Sequence, residues 1–364
     1  MVRHHYLSCA SCHVDPSGGT TLTEYGRAQS DVLVRWKPGA KAEASEEVDP
    51  STRFLWAVPL PEWLLISGNI RSGLMANAPG GVRPLLMATE FRAALLMGPF
   101  VASGSLGFGY KGSGPASVVS WGDPALVSRE HWLGLKFLDD SVMVRAGRLN
   151  VPFGLRNIEH TSWVRTATRT DINISQQHGA AVAFNGESGR GEVMGIAGNF
   201  QMGPDAYRER GYSAFFEIGL GESGGLGVSS LVTASLRDVA LLLPNTRHAH
   251  GIFARVAPVQ ALALMAEVDF LMQSVPQTPL GLGFTSFLQG DVEPWQGIHI
   301  IGTFEMLKQP VAGSGLSVGG WLSAMWNVLP HTELRIDNIV RSTAGTTGGN
   351  VLSYTFLLQA HVFL

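Results

Sequence analysis

The 364-residue chain carries 26 Lys and Arg against 29 Asp and Glu, a formal charge of −3, and shows no basic stripe, which excludes nucleic acid as a partner. Charged residues make up 15% and hydrophobic ones 45%, with a mean hydropathy of +0.14, whereas a soluble globule carries about 25% charged residues. No run approaches the roughly 18–20 apolar residues of a membrane helix, so apolar content without apolar runs points to a transmembrane β-barrel, whose signal is alternation.

The first element is CASCH, Cys9 to His13, which holds both cysteines of the chain. C-x-x-C-H is the attachment pattern of c-type haem: two thiols a turn apart add to the two vinyl groups of one porphyrin, and the adjacent imidazole turns onto the iron. Cys9 and Cys12 are therefore the expected thioethers of one covalent haem c, and His13 its proximal ligand. A thioredoxin-like pair would need a βαβ pattern, absent from residues 14 to 50, and a zinc site would need four ligands where no second Cys pair exists. The sixth iron ligand is open; His4 and His5 read as a solvated pair. Only eight residues precede Cys9, and MVRHHYLS has no apolar core of a secretory leader. Because haem attachment and barrel assembly both need export, a cleaved leader or a displaced start is expected. Pro16-Ser17-Gly18-Gly19 reads as a turn leaving the haem helix.

Residues 1–50 form the expected haem segment, 51–62 a connector, and 63–364 the barrel. Alternation places strands near 63–76, 84–97, 100–110, 130–138, 141–149, 178–186, 190–199, 209–220, 225–237, 247–257, 260–273, 282–291, 295–307, 315–328, 331–340 and 350–364. The last is the clearest, with Leu352, Tyr354, Phe356, Leu358, Ala360, Val362 and Leu364 on one face and Ser353, Thr355, Gln359 and His361 on the other. Residues 178–199 and 247–257 alternate poorly. Short turns such as Gly98-Pro99, Asp139-Asp140 and Leu329-Pro330 alternate with longer excursions, of which 150–177 is the longest, as in bacterial barrels with short periplasmic turns. The inward positions are Arg71, Glu90, Arg92, Lys136, Arg145, Glu217, Glu267, Asp269, Glu305, Glu333, Arg335 and Asp337, with Met143, Met325, His299 and His361 also inward. Trp56, Trp63, Trp121, Trp132, Tyr212, Trp295, Trp326 and Tyr354 suit interfacial girdles. GSGPAS (112–117) is a flexible loop. The acids and histidine of the long loops, Asp123, Glu130, Glu159, His160, Asp171, Asp205 and Glu209, read as solvation of exposed loops. No Ser-His-Asp set and no nucleotide motif is present.

GRLNVPFGLRNIE (147–159) resembles the G-[RQ]-x-x-x-P-F-G signature of the phosphate-selective porin superfamily. That family's anion selectivity implies a ladder of basic residues, and this chain has five lysines. The layout, one C-x-x-C-H ahead of a porin-like barrel, resembles the fused monohaem cytochrome–porins of iron-oxidising bacteria, with YLSCASCHVDPSGGTTLTEYGR similar to their haem segment. The resemblance implies an all-β transmembrane antiparallel barrel of about sixteen strands in the bacterial outer membrane, with a short N-terminal haem segment of one or two short helices plugging the lumen. It also implies electron transfer between an extracellular donor or acceptor such as Fe(II) and periplasmic c-type cytochromes, as an iron(II):cytochrome c oxidoreductase or a simple carrier; the porin resemblance implies a homotrimer. Residues 1–50 are too few to wrap a porphyrin alone, so a haem there must borrow walls from the lumen. A diffusion porin with a haem-bearing plug or redox sensor is the alternative.

Overall fold

A computed structural model describes residues 2–4, 6, 8–19, 21–36, 53–54, 58–78, 80–109, 125–157, 159, 161–345 and 349–364. His5, Trp56, 112–117, Trp121, Asp123 and His160 lie outside them. The described residues form a closed antiparallel barrel of sixteen strands in simple up-and-down order. They are β1 Leu64–Ala78, β2 Gly81–Met97, β3 Phe100–Gly109, β4 (Ala125–Val127 and His131–Phe137, both paired with β3), β5 Val142–Leu149, β6 Gln177–Asn185, β7 Gly189–Gly198 and β8 Arg210–Gly219. β9 Gly224–Ser235, β10 Asn245–Val259, β11 Leu262–Ser274, β12 Gly281–Trp295, β13 Ile298–Lys308, β14 Leu316–Leu329, β15 Thr332–Ala344 and β16 Asn350–Phe363 complete it. β16 pairs with β1, for example Leu358 with Leu74, so the sheet has no free edge. Closure satisfies the backbone groups strand to strand, which is what permits a sheet to stand in hydrocarbon.

Alternation is the physical cause of the barrel's two faces. On β11, Val268 and Phe270 are exposed outward while Glu267 and Asp269 are buried inward. All twelve charged positions assigned inward from the sequence keep that facing in the alternation of their strands. Of the girdle aromatics, Trp63, Tyr212, Trp295, Trp326 and Tyr354 are exposed. Trp132 is a correction: it points into the lumen, 3% exposed, with the Arg145 guanidinium 5.3 Å above its ring. Strand phase on β4 gives Trp132 the same face as Lys136, and a residue type alone does not override phase. A small ribbon, Arg53–Phe54 paired with Val58–Pro59, precedes the barrel.

The N-terminal segment folds back into the lumen. It runs inward through a 3₁₀ turn at Cys9–Ser11, reverses at Ser17–Gly19, and returns through helix α1, Glu24–Leu33. The Thr23 hydroxyl caps that helix by accepting from the Gly26 amide at 3.0 Å. The ends are tied beside short turns: Arg3 to Asp291 and Glu293 at 2.5 and 2.8 Å, Asp31 to His331 at 2.6 Å, and the Trp36 amide to the Asn327 carbonyl at 2.8 Å.

Candidate functional site

The CASCH turn is built locally. The Ser8 hydroxyl accepts from the Ala10 amide at 3.2 Å, and the Cys12 and His13 amides both donate to the Cys9 carbonyl, at 3.1 and 2.9 Å. The outgoing and returning strands then clamp each other, with the Thr23 amide donating to the Cys12 carbonyl and the Val14 amide to the Thr21 carbonyl, both at 3.0 Å. Gly26 of α1 lies flush on this turn: a Cβ there would stand 2.2 Å from the Cys12 carbonyl oxygen. Gly18, at φ +92°, likewise leaves space that a Cβ would fill 2.9 Å from Cys9 Sγ.

Cys12 is buried and Cys9 half-buried, both as free thiols. Burial pushes the Cys12 thiol up, with the neighbouring Cys9 adding to it. Burial also drives the His13 imidazole down to about 4, against the pull of Asp15, so the ring is neutral at neutral pH. The ring bonds the Gly19 backbone, and its Nδ1 is buried with no hydrogen-bond partner, leaving one nitrogen able to take a metal. Two thiols a turn apart and a neutral histidine with an unfilled nitrogen can hold a haem c, which requires only one iron ligand from this motif. Among the described residues no group of three or more His, Cys, Asp or Glu side chains converges on a metal-ion position.

The wall and one loop hold the motif in place. Asp15, fully buried, receives Arg145 of β5 at 2.9 Å, the Ser17 amide and hydroxyl at 2.9 Å each, and Asn150 at 3.3 Å. Burial raises this carboxyl, but Arg145, Arg156 and the Ser17 donors outweigh it and hold Asp15 below the ordinary range. Arg145 in turn pairs with Glu192 of β7 at 2.5 Å. Arg190 of β7 brings its Nη1 to 2.9 Å from Cys9 Sγ, and Arg156 donates to the Ser17 hydroxyl at 2.6 Å.

Arg156 belongs to the excursion 150–176, which enters the lumen instead of standing outside it. Asn150 through Leu155 are buried. Short helix α2, Trp163–Thr168, presents the Trp163 amide to Glu305 at 2.8 Å; Leu155 donates to Glu267 at 2.9 Å, and Glu159 takes Arg335 at 2.8 Å. Four residues read from sequence as exposed loop solvation are thereby corrected. Glu130, Glu159 and Asp171 are buried, and Glu209 is half-buried against Arg169 and Arg247; Asp205 alone among the described ones is exposed. Glu159 is paired with Arg335 and Glu209 with Arg169 and Arg247, whereas Glu130 accepts from Asn150 and Asp171 from the Asn173 amide and side chain; a carboxylate is retained inside when it is paired or hydrogen-bonded. His299 and His361 are inward and engaged, by Asp291 at 3.0 Å and Arg71 at 3.1 Å, as structural hydrogen-bonding residues. His4, read from the sequence as one of a solvated pair, stands in a 3₁₀ turn beside Arg3 and Tyr6 at a 470 Å³ cavity by the short-turn end. Nothing local in the sequence marks Arg190, and only the P-F-G segment marks Arg156, because neither arginine sits beside CASCH.

No protein-family model and no curated protein matches the chain. Solved structures do. The chain is similar to OmpT of Vibrio cholerae in its trimer form, at 10% identity and a TM-score of 0.64 over 83% of this chain and 99% of that one. It is similar to the anion-selective porin from Comamonas acidovorans, at 13% identity and 0.60 over 83% and 99%. It is also similar to the outer membrane channel DcaP of Acinetobacter baumannii, at 11% and 0.58 over 83% and 97%. The barrel therefore shares the fold of these outer-membrane proteins.

Proposed function

We propose that this chain is an outer-membrane electron-transfer protein with one covalent haem c inside a porin-like barrel, Cys9 and Cys12 forming the thioethers and His13 the proximal bond. Electrons would pass between an extracellular donor or acceptor, Fe(II) among them, and periplasmic c-type cytochromes. The observation that carries the reading is the placement of an intact C-x-x-C-H turn inside the lumen, bolted by the buried Asp15–Arg145 pair, with the His13 Nδ1 left without a partner. When bound, the haem supplies one-electron cycling of iron between its ferrous and ferric states. The chain's own residues do the rest: the plug and the loop 150–176 exclude water, His13 stays neutral and available, and the barrel insulates the site from lipid.

A second reading is a diffusion porin for small solutes whose plug carries the haem or senses redox state, favoured by the likeness of the fold to porins. A homotrimer is proposed on the same likeness. Protein purified from a host able to attach haem c should give one haem per chain by pyridine haemochrome assay, and no steady conductance in a planar bilayer. Cys12→Ser or His13→Ala should abolish or shift the haem bands while heat-modifiable migration of the barrel persists. Absence of haem from the intact chain ends the electron-transfer reading; haem together with an open-pore current favours the second.

A further inference from the structure

We infer that Arg190 and Arg156, supplied by the barrel wall and the inward loop, hold fixed positive charge against the edge of the ring that Cys9 would anchor, and so set the reduction potential of the haem. The inference rests on the haem reading above.

Arg190 reaches Cys9 from β7, its Nη1 2.9 Å from Sγ. Its guanidinium cannot swing away, because Nε donates to Glu217 at 2.7 Å and Cζ lies 5.1 Å above the Phe215 ring. Glu217 does not neutralise it one for one, since the same carboxylate also takes Arg255, through Nε at 2.6 Å and Nη2 at 3.2 Å. Arg156 comes from the inward loop. It donates to the Ser17 hydroxyl at 2.6 Å and carbonyl at 3.3 Å, and among the described residues it makes no ion pair. The missing Cβ of Gly18 leaves Cys9 Sγ and the Arg156 chain as immediate neighbours of one spot, 2.9 and 3.6 Å away.

The ion pairs at the motif, taken with Arg156, set four guanidiniums (Arg145, Arg156, Arg190, Arg255) against three carboxylates (Asp15, Glu192, Glu217), one positive charge in excess, and the adjoining Arg92, Arg129, Glu90 and Glu130 are two of each sign. In a water-poor lumen such a charge acts at strength and is little screened by salt. Positive charge beside the iron favours the ferrous form, the less positive of the two, and raises the potential. Of all these groups only Asp15 belongs to the haem segment, so the potential is a property of the barrel and its loop as much as of the cytochrome motif.

Spectroelectrochemical titration of the full haem-loaded chain tests this. Arg190→Gln and Arg156→Gln should each move the midpoint to lower potential, the double variant further, while Arg190→Lys, which keeps the charge, should stay near the unaltered chain. If Arg190→Gln fails to assemble, Arg156→Gln carries the test. A haem-loaded Arg156→Gln or Arg190→Gln titrating at the unaltered potential overturns the inference, as does Arg190→Lys shifting as far as Arg190→Gln, since that is a structural effect and not one of charge. A wild-type chain without haem bands removes the haem reading and this inference with it, and is distinguished from the other outcomes before any potential is measured.

Discussion

At Asp15 the cost of burial and the gain of pairing are weighed in one residue. Its carboxylate is out of water and is repaid by Arg145, Ser17 and Asn150. Removing one partner of a buried pair leaves the other charge uncompensated, which costs about 3–5 kcal/mol. Asp15→Asn should therefore weaken docking of the N-terminal segment and leave barrel assembly intact. The expected result is new protease cleavage within residues 1–36 and a conductance that the unaltered chain lacks; an Asp15→Asn chain as resistant and as sealed as wild type would show that the pair does not hold the plug. Of this residue-scale detail the sequence disclosed the chemistry of CASCH, because spacing of two thiols and an imidazole is a local property. It did not disclose Asp15, which looks like any turn aspartate beside Pro16 until Arg145 is brought to it across 130 positions.

Among the elements, the loop 150–176 differs most from its sequence reading. Its length and its start at the top of β5 were legible; its direction was not. Direction comes from anchors on the far wall, Glu267 to Leu155 and Glu305 to Trp163, and from Gly154 next to the first. Gly154 adopts φ +56°, and a Cβ would lie 1.9 Å from the Glu267 carboxylate. Gly154→Ala should thus cost about 1–3 kcal/mol in backbone strain and crowding and break the Leu155 hydrogen bond. Faster amide hydrogen exchange in 150–176, with the strands unchanged, is the expected signature; unchanged exchange would mean that the Glu267 anchor does not hold the loop. The strands themselves were read within a few residues, including the poorly alternating β6 and β7, where outward Ala180, Gly191 and Gly195 are small and inward Ala181, Ala183, Met194 and Ile196 are apolar, so the contrast between faces is weak.

For the whole molecule, barrel and plug are separable in their bonding. The sheet closes through β16 and β1 without help from the N-terminal segment, whose ties to the walls are side-chain pairs and a few backbone bonds such as Trp36 to Asn327. Deleting residues 1–36 should give a chain that still folds to a heat-modifiable barrel, with greater conductance than the full chain; failure to assemble would show that the plug templates the barrel. The sequence by itself determined the strand count and the facing of the charged wall positions, because period-two alternation and turn spacing are short-range patterns that lipid reads directly; C-x-x-C-H is likewise short-range, and it is the sequence basis of the proposed haem. Only the tertiary structure decided that the plug reaches Arg145, that the longest loop turns inward and that Arg190 lies against Cys9. Those contacts join residues distant in the chain, and which charges meet depends on the register and curvature of the closed sheet.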